Sequence, residues 1–188
     1  VASAAELIAY AKKNPGKLAY GSAGSGSTSH LTTEYFKLAT GTDILHVPYK
    51  GVGPMLTDLV SGQLSMGLNG APAVMPHVTS GRLRALAVSS LTRLPSLPNI
   101  PTLDEAGVKG FEANGWYGIV APAGTAREIV ARLNAEIRRI LETPELRARL
   151  DAEGAIPAAG SPEEFAAFIA SEIARWGSVL ARAGIEPQ

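Results

Sequence analysis

Apolar positions along the chain fall into two alternating rhythms, short compact runs and stripes spaced three or four residues apart, with Gly, Pro and Ser at the seams. Ser3-x-x-Glu6 reads as a capping box ahead of Leu7, Ile8 and Tyr10, and Asn14-Pro15-Gly16 stops that helix. A strand is expected over Lys17–Tyr20, then a small-residue loop from Gly21 to His30, then a helix marked by Leu31, Tyr35, Phe36 and Leu38 and ended by Gly41. The unit repeats: Ile44–Val47 as a second strand, a helix from near Pro54 closed by Ser61-Gly62, Leu64–Leu68 as a third strand, a short helix over Pro72–Val78, and Leu83–Val88 as a fourth strand. Strands alternating with helices at this interval imply right-handed βαβ crossovers and a largely parallel sheet, an α/β fold.

Three prolines in the eight residues Leu94–Pro101 interrupt the pattern, and Thr102-x-x-Glu105 caps only a short turn of helix. Beyond it Gly115–Val120 reads as an apolar strand, and Thr125-x-x-Glu128 as a capping box for a helix with Ile129, Leu133, Ile137 and Leu141 on one face. Thr143-Pro144 opens a short helix. Ser161-Pro162-Glu163-Glu164 opens a longer one, with an expected buried stripe of Phe165, Phe168, Ile169, Ile173, Trp176 and Leu180.

Composition narrows the function classes. Of 188 residues 46% are hydrophobic, and seventeen basic residues balance seventeen acidic ones, which points away from a general nucleic-acid or membrane-surface binder. No apolar run is long enough to cross a bilayer. The absence of cysteine excludes thiolate metal ligands, CxxC redox chemistry and a Cys nucleophile. The first residues, Val1 to Glu6, lack the basic start and apolar region of a signal peptide. Charge shifts along the chain: residues 1–110 carry nine basic and six acidic groups, and residues 111–188 eight and eleven, a modest bias toward an anionic ligand in the first part.

The stretch Gly21-Ser22-Ala23-Gly24-Ser25-Gly26-Ser27-Thr28-Ser29-His30 carries the clearest chemistry. Glycines let backbone N–H groups turn inward, hydroxyls add donors, and the following helix N-terminus adds partial positive charge, so a carboxylate would sit well there. The bland alternative is a flexible strand-to-helix connection with Ser29 as N-cap. Enzyme signatures fail on spelling. A P-loop needs a lysine after Gly26, where Ser27 stands; Gly24-x-Gly26-x-x-Ser29 only approaches GxGxxG, and the second strand ends in Pro48-Tyr49-Lys50 without an acidic ribose ligand; Ser25 lacks the flanking glycines of a nucleophile elbow. His30, His46 and His77 have no metal-ligand spacing and read as packed or surface histidines, His30 standing apart because it begins the helix after the loop. Lys50 and Asn69-Gly70-Ala71-Pro72 follow strand ends, where ligands of open α/β sheets collect, although solvation and a simple turn explain them equally. Trp116 and Trp176 sit in apolar patterns that suggest core packing.

Several short motifs in one order then carry a resemblance: Glu6-Leu7-Ile8-Ala9 through Asn14-Pro15-Gly16-Lys17-Leu18, the Gly/Ser loop ending in His30-Leu31, Val47-Pro48-Tyr49-Lys50-Gly51, Ser61-Gly62-Gln63, Gly81-Arg82-Leu83-Arg84-Ala85-Leu86-Ala87-Val88, Trp116-x-Gly118 and Ala121-Pro122-Ala123-Gly124-Thr125. Together they look like the Bug/TctC family of periplasmic substrate-binding components of tripartite tricarboxylate transporters. The resemblance implies a two-lobed, Venus-flytrap protein of the periplasm that closes on a small carboxylated solute and passes it to membrane components, with no cofactor, metal or catalytic residue. It also implies that the chain is a C-terminal portion of a member: residues 1–113 as the second ligand-binding lobe, and 114–188 as the return strand and helices of the first lobe, whose N-terminal half is absent. Carried over by position, the ligand loop falls on Ser22, Gly24, Gly26, Ser27 and Thr28, with support from Pro48 and Tyr49 and from Asn69 and Ala71. Two other classes stay open, a nucleotide- or acyl-handling α/β enzyme built on loop 21–30 and an interaction module that self-associates through the apolar stripes.

Overall fold

A computed structural model describes residues 1–185. The elements are α1 (Ala4–Lys13), β1 (Ala19–Ser22), α2 (Thr28–Thr40), β2 (Leu45–Pro48), α3 (Val52–Ser61), α4 (Ala71–Thr79), α5 (Arg127–Leu141), α6 (Pro144–Ala152) and α7 (Pro162–Ala183). Local chemistry explains most boundaries. Ser3 Oγ accepts the Glu6 N–H at 3.2 Å, while the Glu6 carboxylate reaches back to the amide of Ala2. Helix α2 ends on Gly41 in the left-handed conformation, whose N–H bonds the Lys37 carbonyl. Helix α7 opens with the full Ser161–Glu164 capping box.

Strands β1 and β2 pair in parallel, with Tyr20 opposite His46 and Ser22 opposite Pro48. On the other side of β1, Tyr20 forms a parallel bridge with Met66. The core lies against this ribbon: Ala4, Leu7 and Ala11 of α1, Tyr20, Phe36, Ile44, Met66, Leu103, Val108, Phe111 and Ala113. Gly21 is required by close approach. A Cβ there would lie 2.6 Å from Met55 Cγ and would also strike Leu64 Cδ1, so only a bare backbone lets α3 and the third chain segment close over β1.

The parallel α/β arrangement holds, but with less regular strand than the pattern predicts. Residues 64–68 form a single bridge, because the Ala19 N–H goes to the Ser65 hydroxyl instead of a ladder carbonyl. In 83–88 only Val88 pairs, with Thr102. Segment 115–120 has no strand partner among the described residues, and its Tyr117 is 95% exposed. Helix α5 has Ala126 at its N-cap and no side-chain cap, since the Thr125 hydroxyl donates to the Pro122 carbonyl.

The expected buried stripe on α7 is also corrected. Phe168 and Ile173 face solvent, and the buried residues are Glu172 and Val179. On α5, Ile129 and Leu133 are about half exposed. Trp116 is exposed at 42%, pinned from one side by edge-on contacts with Phe165 and Phe168. Helix α7 is held to the core by Trp176, edge-on to Tyr35, and by Glu172, whose Oε2 accepts both indole N–H groups, of Trp116 and Trp176, at 3.2 and 3.0 Å. Arg175 closes the cluster, bonding Glu172 Oε1 at 3.0 Å and the Glu112 carbonyl.

These contrasts predict opposite stability effects. Gly21→Ala overpacks a closed contact and should cost about 1–3 kcal/mol in urea denaturation, whereas Ile173→Ser on the exposed face should stay within about 0.5 kcal/mol of the parent. A neutral Gly21→Ala would mean that Met55 and Leu64 move aside freely.

Candidate functional site

Parallel pairing brings three chain ends to one edge. Ser22 and Pro48 end β1 and β2 side by side, and Asn69 follows three residues after the Tyr20–Met66 bridge. The Gly/Ser loop wraps over that edge. Gly24 and Gly26 take positive φ angles of 131° and 76°, and the turn between them is fastened by Ser27, whose N–H and hydroxyl both bond the Gly24 carbonyl, at 3.1 and 2.6 Å. The N-cap of α2 is Ser27, two residues earlier than the Ser29 that the bland reading assigns. Its Oγ receives the His30 N–H, while Ser29 Oγ receives that of Ala23. Ser29 is buried, and Thr28 is the first residue of the helix.

The loop's amides divide into two sets. Those of Ala23, Gly24, Gly26 and Ser27 are engaged, by Ser29 Oγ, Ser22 Oγ, His30 Nδ1 and the Gly24 carbonyl. Those of Ser25, Thr28 and Ser29 find no protein acceptor among the described residues, nor do the hydroxyls of Ser25 and Thr28. Such donors at a helix N-terminus suit an anionic oxygen.

The flanking positions brace this edge. The Tyr49 N–H bonds the Ser22 carbonyl at 3.0 Å, the Gly51 N–H bonds the Ala23 carbonyl at 3.1 Å, and the Tyr49 hydroxyl donates to Asp58 at 2.7 Å. That bond to Asp58 raises the phenol's pKa. Pro48 lies exposed at the end of β2. Asn69 turns toward Met55, its amide 3.9 Å from the sulfur, and Ala71 is the first residue of α4. Segment 115–117 spans the two loops: a Cβ on Gly115 would lie 3.6 Å from Thr28 Cγ2, and one on Gly70 4.0 Å from the Tyr117 hydroxyl.

Beneath the loop lies a cluster that sequence reasoning missed. His46 Nε2 is 2.7 Å from Ser22 Oγ, and its ring stacks between His30, at 4.1 Å, and Tyr20, at 4.8 Å. Tyr20 donates to Glu34, which pairs with Lys37, each at 2.7 Å. The pattern carried a signal: in a parallel pair His46 falls opposite Tyr20, and His30 lies three residues into α2, one turn above the loop. Ser22 and His46 have the spacing of a nucleophile and its base. Yet Ser22 is wholly buried, and its hydroxyl donates to the Gly24 carbonyl. His77 lies apart on α4.

Burial lowers the pKa of both His30 and His46 below the ordinary 6.5, with Lys37 adding to the effect on each, His30 adding to it on His46, and Glu34 opposing it. Below pH 6.5 the unfolded chain therefore takes up protons that the folded chain refuses, and stability falls with pH until the folded groups titrate too. The urea midpoint should hold steady above about pH 7 and decline toward about pH 5.5, with a shallower decline in His30→Asn. Equal slopes in the two proteins would remove His30 as a cause.

Comparison with known proteins identifies the family and the fold. The model of the tripartite tricarboxylate transporter family receptor, TctC, matches residues 1–185. BugT of Bordetella pertussis is 40% identical over 178 residues, 95% of this chain and 55% of BugT. The solved structure of R. palustris Rpa4515 with adipate matches at 43% identity and a TM-score of 0.94, covering 100% of this chain and 63% of that one. The periplasmic binding protein BugD matches at 35% and 0.90, over 100% and 64%. MatC (Rpa3494) from Rhodopseudomonas palustris with bound malate matches at 32% and 0.83, over 95% and 62%. The chain thus spans about half the length of the curated relatives it matches. It has the α/β fold of the periplasmic binding proteins, and it belongs to the TctC family of tripartite tricarboxylate transporter receptors.

Proposed function

We propose that the chain forms part of a periplasmic solute-binding protein that captures a small organic mono- or dicarboxylate for a tripartite transporter and performs no catalysis. The observation that carries this reading is the set of open donors on the Gly/Ser loop, the Ser25, Thr28 and Ser29 amides with the Ser25 and Thr28 hydroxyls. They hold an anion without a formal counter-charge, and the fixed turn at Gly24 and Gly26 spares the ligand the cost of ordering them. Ser22, Gly24, Gly26 and Ser27 form the frame of the loop. Pro48, Tyr49, Asn69 and Ala71 border it. Relatives solved with adipate and with malate support the ligand class.

We further infer that residues 1–113 make one lobe and that 114–188 contribute to the other. The exposed apolar residues of α5 and α7 are then faces that the remaining length of a relative covers. Left uncovered, those faces predict that the 188-residue chain self-associates as its concentration rises, read by light scattering after size exclusion. A monomer at every concentration would show that they are tolerated in water.

Calorimetry against adipate, malate, sugars and nucleotides tests the ligand class, and Thr28→Pro tests the site. Proline is well accepted at the first helical position, so the variant folds while losing one exposed amide and hydroxyl. Affinity for the bound carboxylate should drop about tenfold or more, the worth of one charge-assisted bond. Binding of sugars or nucleotides alone would sink the carboxylate reading, and an unchanged affinity would move the site off this loop.

A further inference from the structure

We propose that His30 and His46 are positioning residues: the neutral pair holds the Gly24–Ser27 turn in its anion-receiving form, and a proton on His30 releases it. Both legs of the turn are gripped. On one leg the Gly26 N–H donates to His30 Nδ1 at 3.0 Å. On the other, His46 Nε2 meets Ser22 Oγ at 2.7 Å, and that same Oγ accepts the Gly24 N–H and donates to the Gly24 carbonyl, both at 3.2 Å. The two rings stack at 4.1 Å with planes 13° apart, so each fixes the other's tilt.

The network also assigns the His30 proton. His30 Nδ1 accepts, so its proton sits on Nε2. Ser22 Oγ and His46 Nε2 share one hydrogen across 2.7 Å, with either tautomer of His46. Uptake of a proton by His46 would leave the bond to Ser22 intact. Uptake at His30 Nδ1 would set an N–H against the Gly26 N–H and place positive charge at the N-terminal end of α2, where the helix dipole is already positive.

The charged groups facing the pair are Glu34 and Lys37 on α2, bonded to each other at 2.7 Å, with the Tyr20 hydroxyl of β1 donating to Glu34. Glu34 favours a proton on either ring and Lys37 opposes it, while burial keeps the rings neutral, His30 being only 7% exposed. Freed from His30, the Gly26 end of the turn keeps only the Ser27 bonds to the Gly24 carbonyl, with no side-chain bulk at its two positive-φ glycines. The Ser25 and Thr28 amides then lose their common orientation.

The sign separates this proposal from a plain charge effect. A positive imidazolium near the loop would by itself attract a carboxylate more strongly in acid, whereas release of the turn weakens binding in acid. The proposal rests on the carboxylate reading for its affinity arm only. Nuclear magnetic resonance on the ligand-free chain carries the other arm: below pH 6.5 the Gly26 amide shift should follow the His30 ring with one midpoint and lose its exchange protection. His30→Asn, which puts an acceptor oxygen near the Nδ1 position, should keep the amide protected and end its titration. His30→Phe should leave it unprotected at every pH.

In calorimetry with adipate, acidification should weaken the parent about tenfold more than His30→Asn, the ligand's own protonation being common to both. A Gly26 amide that ignores the His30 titration would overturn the proposal, as would tighter adipate binding by the parent than by His30→Asn in acid. Absence of adipate binding at every pH would count against the carboxylate reading, and the amide titration would still decide the positioning role.

Discussion

Strand β1 can be covered on both sides only because Gly21 has no side chain. Met55 of α3 and Leu64 of the following segment meet over that one residue, and their closure fixes the height of everything beyond it. Tyr20, one position earlier, is wholly buried, and Ser22, one position later, is buried as well. The strand therefore delivers its C-terminal end as a rigid post. The Gly/Ser loop begins there, already tied to β2 by the Tyr49 N–H and to the next turn by Gly51. A loop rich in glycine would ordinarily spend much of any binding energy on its own ordering. Anchored on such a post, it does not.

Polar groups run through this core as well as apolar ones, joined in two connected networks. Lys37, Glu34, Tyr20, His46, Ser22 and Gly24 form one chain of ion pair, hydrogen bonds and ring stacking from the outer face of α2 to the loop. Glu172 plays a similar part in the second half, with two indole donors and Arg175 around a carboxylate that is 7% exposed. An unpaired buried charge would be costly, and a fully paired one defines a single arrangement of its neighbours.

The helices and the Gly/Ser loop were legible in the sequence because their signals are local. Ser3, Ser161 and Gly41 act within a turn of where they stand. Strands depend on partners, and that information is not local: residues 64–68 and 115–120 have strand composition, yet Ser65 diverts one ladder bond and 115–120 meets no partner among the described residues. The α7 stripe misled for the same reason. Periodicity identifies an apolar face without identifying what covers it, and one of the two buried positions on that helix is occupied by a glutamate. The loop's strand-to-helix position could be read from its spelling, but the histidines beneath it, sixteen residues apart, needed the packing of α2 over β2 to bring them into contact.

The segment around Trp116 joins these parts mechanically. Gly115 lies beside Thr28 of the Gly/Ser loop, the Tyr117 hydroxyl beside Gly70 at the third chain end, and Trp116 is bonded to Glu172 of α7. Gly118 is bare because the Phe165 ring occupies the place of its side chain. Three successive residues thus lie beside the Gly/Ser loop, the Gly70 turn and the long C-terminal helix, and the backbone between them has no ladder among the described residues. A segment without a strand partner among the described residues is thus fixed by side-chain contacts in place of a ladder.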